Sequence, residues 1–240
     1  YTLLLNWARP DIIVHCAAIT QVDYCELNQN EAMLVNSLSC EKLLKNNPYT
    51  QRVIYISTDA VFDGSCRYSS ESTLPNPINF YGQSKLCGEH LITESRIPST
   101  IIRTTIVGKN YFYKSNTLVE WIYDSLTRRI PIKLFTDVLF NPIDPIGLII
   151  EIEHIINEQL GGTFHVNGPS CMSKHQFGCL LANQLGLNNS LIQKSSICDS
   201  SFIAPRSFDQ TLSVQRYQQL TCRPLPTIDE TMINLMSMFT

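Results

Sequence analysis

The chain has 240 residues, 44% of them hydrophobic and 16% charged, with 10 Gly, 12 Pro and a net charge of −3. That is the length and balance of one globular domain, or of two small ones sharing a core, and it excludes disordered and collagen-like chains. The mild acidity, with no basic cluster denser than Arg128-Arg129, argues against nucleic acid or an anionic membrane as partner, and Asn141-Pro-Ile-Asp-Pro-Ile-Gly-Leu-Ile-Ile150 falls short of the ~20 apolar residues of a membrane span.

The chain opens on Tyr1 rather than Met and runs almost at once into an apolar strand, so residues are expected to be missing upstream. Residues 12–18, Ile-Ile-Val-His-Cys-Ala-Ala, are mostly apolar without alternation, the pattern of a parallel strand covered on both faces. A helix is predicted from Gln29 to Lys45, where Leu34, Leu38, Leu43 and Leu44 recur at near-helical spacing and Asn46-Asn47-Pro48 supplies the stop. Val53 to Ser57 repeats the buried-strand pattern, a helix follows over 79–94, and Thr100 to Val107 is the next strand. Strand, helix, strand, helix, strand is the signature of a parallel α/β sheet.

Beyond Gly108 the pattern predicts a helix over 117–128, a short strand over 132–135, a helix over 145–158 and a strand over 163–167 after the Gly161-Gly162 turn. Ser173-Lys-His-Gln176 reads as a capping box opening a helix whose Phe177, Leu180, Leu181 and Leu185 share one face before Gly186 ends it. In a last helix, 228–238, Met232, Leu235 and Met236 read as a packing stripe. With no repeat and no low-complexity linker, the second half is expected to be a smaller lobe packed on the sheet.

Ligands of open parallel sheets bind at the carboxyl ends of the strands. Three places there stand out. Ala17-Ala18-Ile19-Thr20 offers small side chains that let a ligand, or a packed helix, approach the backbone. Ser57-Thr58-Asp59 sets two hydroxyls and a carboxylate at the end of a buried strand, a reactive group or a capped turn. Tyr81-Gly-Gln-Ser-Lys85 begins a helix. Residues four apart share a helical face, so the Lys85 ammonium is expected under the Tyr81 phenol, lowering its pKa toward that of a usable general acid or base. A bare Tyr-x-x-x-Lys is common by chance and gains weight here from the Ser-Thr strand end before it.

Nine cysteines, none spaced Cys-x-x-Cys, with Cys16, Cys40, Cys87 and Cys179 inside apolar patterns, predict free thiols in a reducing cytoplasm, with no disulfide framework and no zinc site. Histidines at 15, 90, 154, 165 and 175 lack ligand spacing, so no metal is expected. The single sequon, Asn188-Asn189-Ser190, reads as a polar loop.

Asp11-Ile-Ile-Val-His-Cys-Ala-Ala-Ile-Thr-Gln-Val-Asp23, Ile56-Ser-Thr-Asp-Ala-Val-Phe-Asp-Gly64 and Pro77-Ile-Asn-Phe-Tyr-Gly-Gln-Ser-Lys-Leu-Cys-Gly-Glu89 together resemble the successive signatures of the dTDP-4-dehydrorhamnose reductase family, a branch of the extended short-chain dehydrogenases. The resemblance runs from residue 1 through Gly168 and resumes at Ala204-Pro-Arg-Ser-Phe-Asp-Gln-Thr-Leu-Ser213. It implies a Rossmann-like parallel sheet over residues 1–108 as the NAD(P)-binding core, and a smaller mixed C-terminal lobe over 109–240 that mainly holds the substrate. It also implies reduction of a 4-keto-6-deoxy nucleotide sugar by NADPH, or NADH. Tyr81 would donate the proton, Lys85 would lower the Tyr81 pKa and bind the nicotinamide ribose, and Thr58 would hold the carbonyl oxygen. Ala17, Ala18, Thr20 and Ser57 would line the cofactor, with Asp59 and Arg206 on the sugar.

Three departures from that family pattern shape the expectations. The glycine-rich strand–turn–helix that binds a pyrophosphate is absent from the sequence, so the sheet is expected to lack its N-terminal βαβ unit. Ala60 and Ile106 stand where aromatics are usual, which is expected to shrink the sugar-stacking surface. Val14-His-Cys-Ala-Ala18 and Gly162-Thr-Phe-His-Val-Asn-Gly168 also resemble the regulatory β subunit of methionine adenosyltransferase, which implies the alternative of a non-catalytic binding subunit or an inactive remnant. The partners suggested are then a nucleotide sugar, a second copy of the chain, or a methionine adenosyltransferase.

Overall fold

The structure is a computed structural model and describes residues 2–45, 47–111 and 117–239. Along the chain come α1 (Thr2–Ala8), β1 (Ile12–His15), α2 (Val22–Leu27) and α3 (Gln29–Met33), which passes through a π-helical turn at Leu34–Leu38 into α4 (Ser39–Leu44). Next are β2 (Arg52–Thr58), α5 (Phe80–Glu94), β3 (Ser99–Thr104), α6 (Leu118–Thr127), β4 (Ile132–Phe135), β5 (Leu139–Phe140) and α7 (Pro145–Asn157). The chain ends through β6 (Gly162–His165), β7 (Met172–Ser173), α8 (Lys174–Gln184), β8 (Ile192–Ser195), β9 (Asp209–Gln210), α9 (Gln215–Thr221) and α10 (Ile228–Ser237).

The main sheet is parallel, in the order β1-β2-β3-β6, so its fourth strand comes from the second half of the sequence. Alternate residues of a strand point to opposite faces, and both faces of β2 are covered. Ile54 and Ile56 pack with Ile102, Phe164, Leu148 of α7 and Tyr217 of α9. Val53 and Tyr55 pack with Cys40 of α4 and Ile92 of α5 on the other side. Two smaller sheets, parallel β4-β8 and mixed β7-β5-β9, stand beside the main one. A third apolar cluster joins Ile122 and Leu126 of α6, Leu134, Phe140, Phe177 and Leu181 of α8, and Met232 and Leu235 of α10.

Several sequence expectations are corrected. The strand expected over 12–18 stops at His15, and it is not covered on both faces: Ile12 is 37% and Val14 39% exposed because β1 forms the sheet edge, paired with β2 alone among the described residues. A helix, α1, precedes that strand, and α2 was not foreseen. The helix over 29–45 contains a π turn, and of its Asn46-Asn47-Pro48 stop, Asn46 lies outside the described residues. The strand over 100–107 ends at Thr104, where the backbone turns and Ile106 bridges to Ile143. The Ser173 capping box forms, and Gly186 ends its helix at φ +67°, but Leu180 is exposed rather than on the buried face. Among the described residues no helix is long and apolar enough to cross a membrane.

Candidate active site

The carboxyl ends of β1, β2 and β3 open into a cleft of about 850 Å³, within the size range of small-molecule sites. Ala18 and Thr20 line it after β1, Ser57, Thr58 and Asp59 at the end of β2, and Tyr81 and Lys85 from α5. The facing wall carries Trp121, Phe135, Val138, Lys174, Phe202 and Arg206. Every site residue expected from the sequence lines this cleft except Ala17, which is exposed beside it.

Local chemistry explains why the end of β2 meets the start of α5. Thr58 is still extended and caps a 3-10 turn over Asp59–Val61, its hydroxyl accepting from the Ala60 N–H at 3.2 Å and donating to Asp59 Oδ1 at 2.9 Å. The Asn79 side chain caps α5 by accepting from the Gly82 N–H, and the Glu26 carboxylate accepts from the Phe80 N–H at 2.9 Å. A Cβ at Gly82 would lie 2.1 Å from the Ala60 carbonyl oxygen, so the approach of this helix to the turn requires glycine. The Tyr81 phenol is thereby brought into the cleft that Thr58 lines. Burial raises its pKa above the ordinary value, the Thr58 hydroxyl opposes the rise and the Asp59 charge adds to it. Asp59 is itself raised by burial, against the pull of Lys174 and the Thr58 hydroxyl.

The expected pairing of Lys85 beneath Tyr81 is not what the structure shows. The Lys85 ammonium donates to the Ile56 carbonyl at 2.8 Å and sits 4.0 Å from the centroid of the Tyr55 ring. It is not among the groups acting on Tyr81, whose pKa is raised rather than lowered. The helical spacing put the two side chains on one face, but the lysine stem runs inward past the β2 backbone to the nearest acceptor. Burial brings its own pKa down to about 8, with the Cys40, Glu89 and Cys16 charges opposing.

Behind this wall lies a buried polar network, complete among the described residues except for Arg103 Nη1, which has no partner. Ser57 Oγ donates to Glu89 Oε1 at 2.5 Å, and Arg103 grips the same carboxylate through Nε and Nη2, at 2.6 Å for the closest contact. The Ser57 proton is therefore committed to Glu89, and toward the cleft the hydroxyl offers lone pairs. Asn36, buried in the π turn, accepts from the Ile19 N–H at 2.7 Å and donates to the Ile19 carbonyl and Ser84 Oγ, pinning the loop after β1 to α5. Its signal in sequence, a lone Asn in an apolar helix, was too weak to find it.

On the facing wall Arg206 pairs with Asp23 at 2.9 Å, while its buried Nη1 has no hydrogen-bond partner among the described residues. Ala60 and Ile106 do line the cleft, yet aromatic surface comes from Trp121, Phe135 and Phe202 instead, none of them foreseen as site residues. Lys174 also lines the cleft, although in the sequence Ser173-Lys-His-Gln176 signals only a helix cap. Among the described residues no group of three or more His, Cys, Asp or Glu side chains could hold a metal.

Parallel strand ends that gather a phenol, a lysine and two hydroxyls in one cleft define the extended short-chain dehydrogenase class, in the branch of nucleotide-sugar reductases and epimerases. Within it, the chain belongs to the RmlD substrate binding domain family, whose sequence pattern matches residues 2–239. It is 29% identical over 248 residues to the probable low-salt glycan biosynthesis reductase Agl14 of Haloferax volcanii, covering 98% of this chain and 80% of that protein. It is 25% identical over 240 residues to methionine adenosyltransferase 2 subunit beta of Rattus norvegicus, covering 94% of this chain and 67% of that one. Among solved structures, dTDP-4-dehydrorhamnose reductase from Bacillus anthracis in complex with NADP superposes with a TM-score of 0.88 at 26% identity, covering 97% of this chain and 82% of that one.

Proposed function

We propose that the chain is a reductase of a 4-keto-6-deoxy nucleotide sugar, of the dTDP-4-dehydrorhamnose type, using NADPH or NADH in the cytoplasm. The observation that carries this reading is the convergence of Tyr81 and Lys85 from α5 with Ser57 and Thr58 at the end of β2, inside a cleft large enough for a sugar nucleotide. In this reading residues 1–108 mainly hold the cofactor and 109–240 mainly hold the sugar.

The residues present fit the nicotinamide end of a cofactor. Ala18 and Thr20 have small side chains beside the backbone, and among the described residues the Lys85 ammonium has one hydrogen bond, to Ile56, leaving two N–H groups for a ribose. When bound, a reduced nicotinamide supplies the hydride. Tyr81 delivers its proton to the oxygen that becomes a hydroxyl, and its high pKa keeps the proton in place until negative charge develops there. Thr58 lines the cleft with Tyr81, its own proton donated to Asp59, and Arg206 Nη1 offers a donor to the nucleotide sugar. Trp121 and Phe202 supply stacking surface.

Incubating the chain with NADPH and dTDP-4-dehydrorhamnose tests the reading: NADPH fluorescence falls in step with formation of a 4-hydroxy sugar nucleotide. Fluorescence that stays constant at saturating concentrations of both excludes it. A non-catalytic binding subunit is the second reading, favoured by the similarity to the methionine adenosyltransferase subunit and by a Lys85 tied to Ile56 rather than Tyr81. Copurification with a methionine adenosyltransferase, without turnover, is its signature.

A further inference from the structure

Lys174 is the first residue of α8, and its backbone is fixed twice: by the Ser173 capping box and by its N–H donating to the Val138 carbonyl at 3.1 Å. This directs the side chain over Phe140, where the ammonium stands 3.3 Å from the ring centroid. Among the described residues it makes no hydrogen bond and no ion pair, and Asp59, the charge that acts on it, stands beyond the 4.0 Å reach of a salt bridge. Burial, opposed by Asp59, lowers its pKa to about 8. Both side chains line the same cleft as Tyr81, with Asp59 accepting from the Thr58 hydroxyl.

An ammonium without an acceptor and a carboxylate across a gap are an incomplete arrangement. A phosphate or a sugar carboxylate would be repelled by Asp59, and a carbonyl or methyl group has no proton to give it. A hydroxyl completes it: the oxygen accepts from the ammonium and its proton goes to the carboxylate. We propose that Lys174 and Asp59 together read one ring hydroxyl of the sugar, close to the carbonyl under reduction, which makes Lys174 a specificity-determining residue. This rests on the reductase reading for the identity of the ligand as a sugar nucleotide.

The test compares the whole chain with Lys174→Met and Lys174→Gln, using dTDP-4-dehydrorhamnose and its analogues lacking the 2- or the 3-hydroxyl. The wild type is expected to show KM at least tenfold higher for one analogue. Lys174→Met is expected to raise KM for the parent sugar at least tenfold and to treat parent and analogue alike, with kcat at saturation changing far less and the NADPH Kd unchanged; Lys174→Gln, which keeps a donor, falls between. Tm is expected to hold or rise, because an ammonium lacking an acceptor is removed. A Lys174→Met variant with wild-type KM and discrimination overturns the proposal, as does one whose KM change is accompanied by an equal loss in NADPH affinity and a fall in Tm. If the wild type binds the sugar nucleotide without turning over, the reductase reading fails alone, and calorimetric Kd values for the same sugars replace KM with the same expectations. A wild type that binds no sugar nucleotide overturns both.

Discussion

The two walls of the cleft differ in how their polar groups are partnered. On the wall made by β2 and α5, Ser57 donates to Glu89, Thr58 to Asp59 and Lys85 to the Ile56 carbonyl, and Arg103 closes the network behind them. On the facing wall the Lys174 ammonium has only an aromatic ring beneath it among the described residues, and Arg206 Nη1, like Arg103 Nη1 behind the first wall, is buried without a partner there, but unlike it belongs to a residue that lines the cleft. The first wall is organised before a ligand arrives, as proton delivery in a fixed geometry demands. The second keeps donors that a ligand satisfies, as selective binding demands. Two lysines with pKa values of about 8, both lowered chiefly by burial, thus stand in different roles, told apart by their hydrogen bonds.

The contrast is broken most severely at its reacting atom. Tyr81→Phe removes the proton donor and is expected to lower kcat by about 10² to 10⁴ while NADPH and sugar Kd stay within a factor of two or so; a variant with wild-type turnover removes Tyr81 from the chemistry. Next comes Glu89→Ala, which strands the buried Arg103 and is expected to cost about 3–5 kcal/mol in urea unfolding. Lys174→Met on the other wall is expected to cost no stability, and a similar loss at both positions would erase the distinction.

Smaller effects sharpen it. His165, at the end of β6 and packed edge-on against Phe62, has a pKa near 3 through burial first and the Arg103 charge second. Its folded-state value lies below the unfolded one, so between about pH 6.5 and 3 the unfolded chain binds the extra proton. Stability is then full above pH 6.5 and falls by up to about 1.4 kcal/mol per unit as the pH drops through that window. His165→Leu is expected to flatten this slope in pH-dependent thermal unfolding. Lys85→Met is expected to weaken NADPH binding by about tenfold through a lost hydrogen bond while leaving the Tyr81-dependent limb of the pH–rate profile in place. A displaced limb would show that Lys85 tunes the phenol after all.

The first wall was largely legible in the sequence because it is continuous there: Ser57-Thr58-Asp59 ends one apolar run and Tyr81 opens the next helix. The parallel sheet was legible for the same reason, with β2 buried along nearly its whole length. What the sequence hid depends on tertiary direction. Helical spacing put Lys85 and Tyr81 on one face, but not the Ile56 carbonyl that diverts the ammonium. The exposed side of β1 follows from its place at the sheet edge, which its apolar letters do not reveal. Lys174, Trp121 and Phe202 reach the cleft from three separate segments, and only the packing of α6 and α8 on the smaller sheets brings them opposite Asp59.

The most direct test of the preorganised first wall is a thermal-shift titration of the whole chain with NADPH. A ligand that binds only the folded state stabilises it by about 2.7 kcal/mol at 100 times its Kd. The structure predicts saturable stabilisation by NADPH that is retained in Lys174→Met and weakened in Lys85→Met. No shift at millimolar NADPH, or a shift lost in Lys174→Met and unchanged in Lys85→Met, would contradict the assignment of cofactor and sugar to opposite walls.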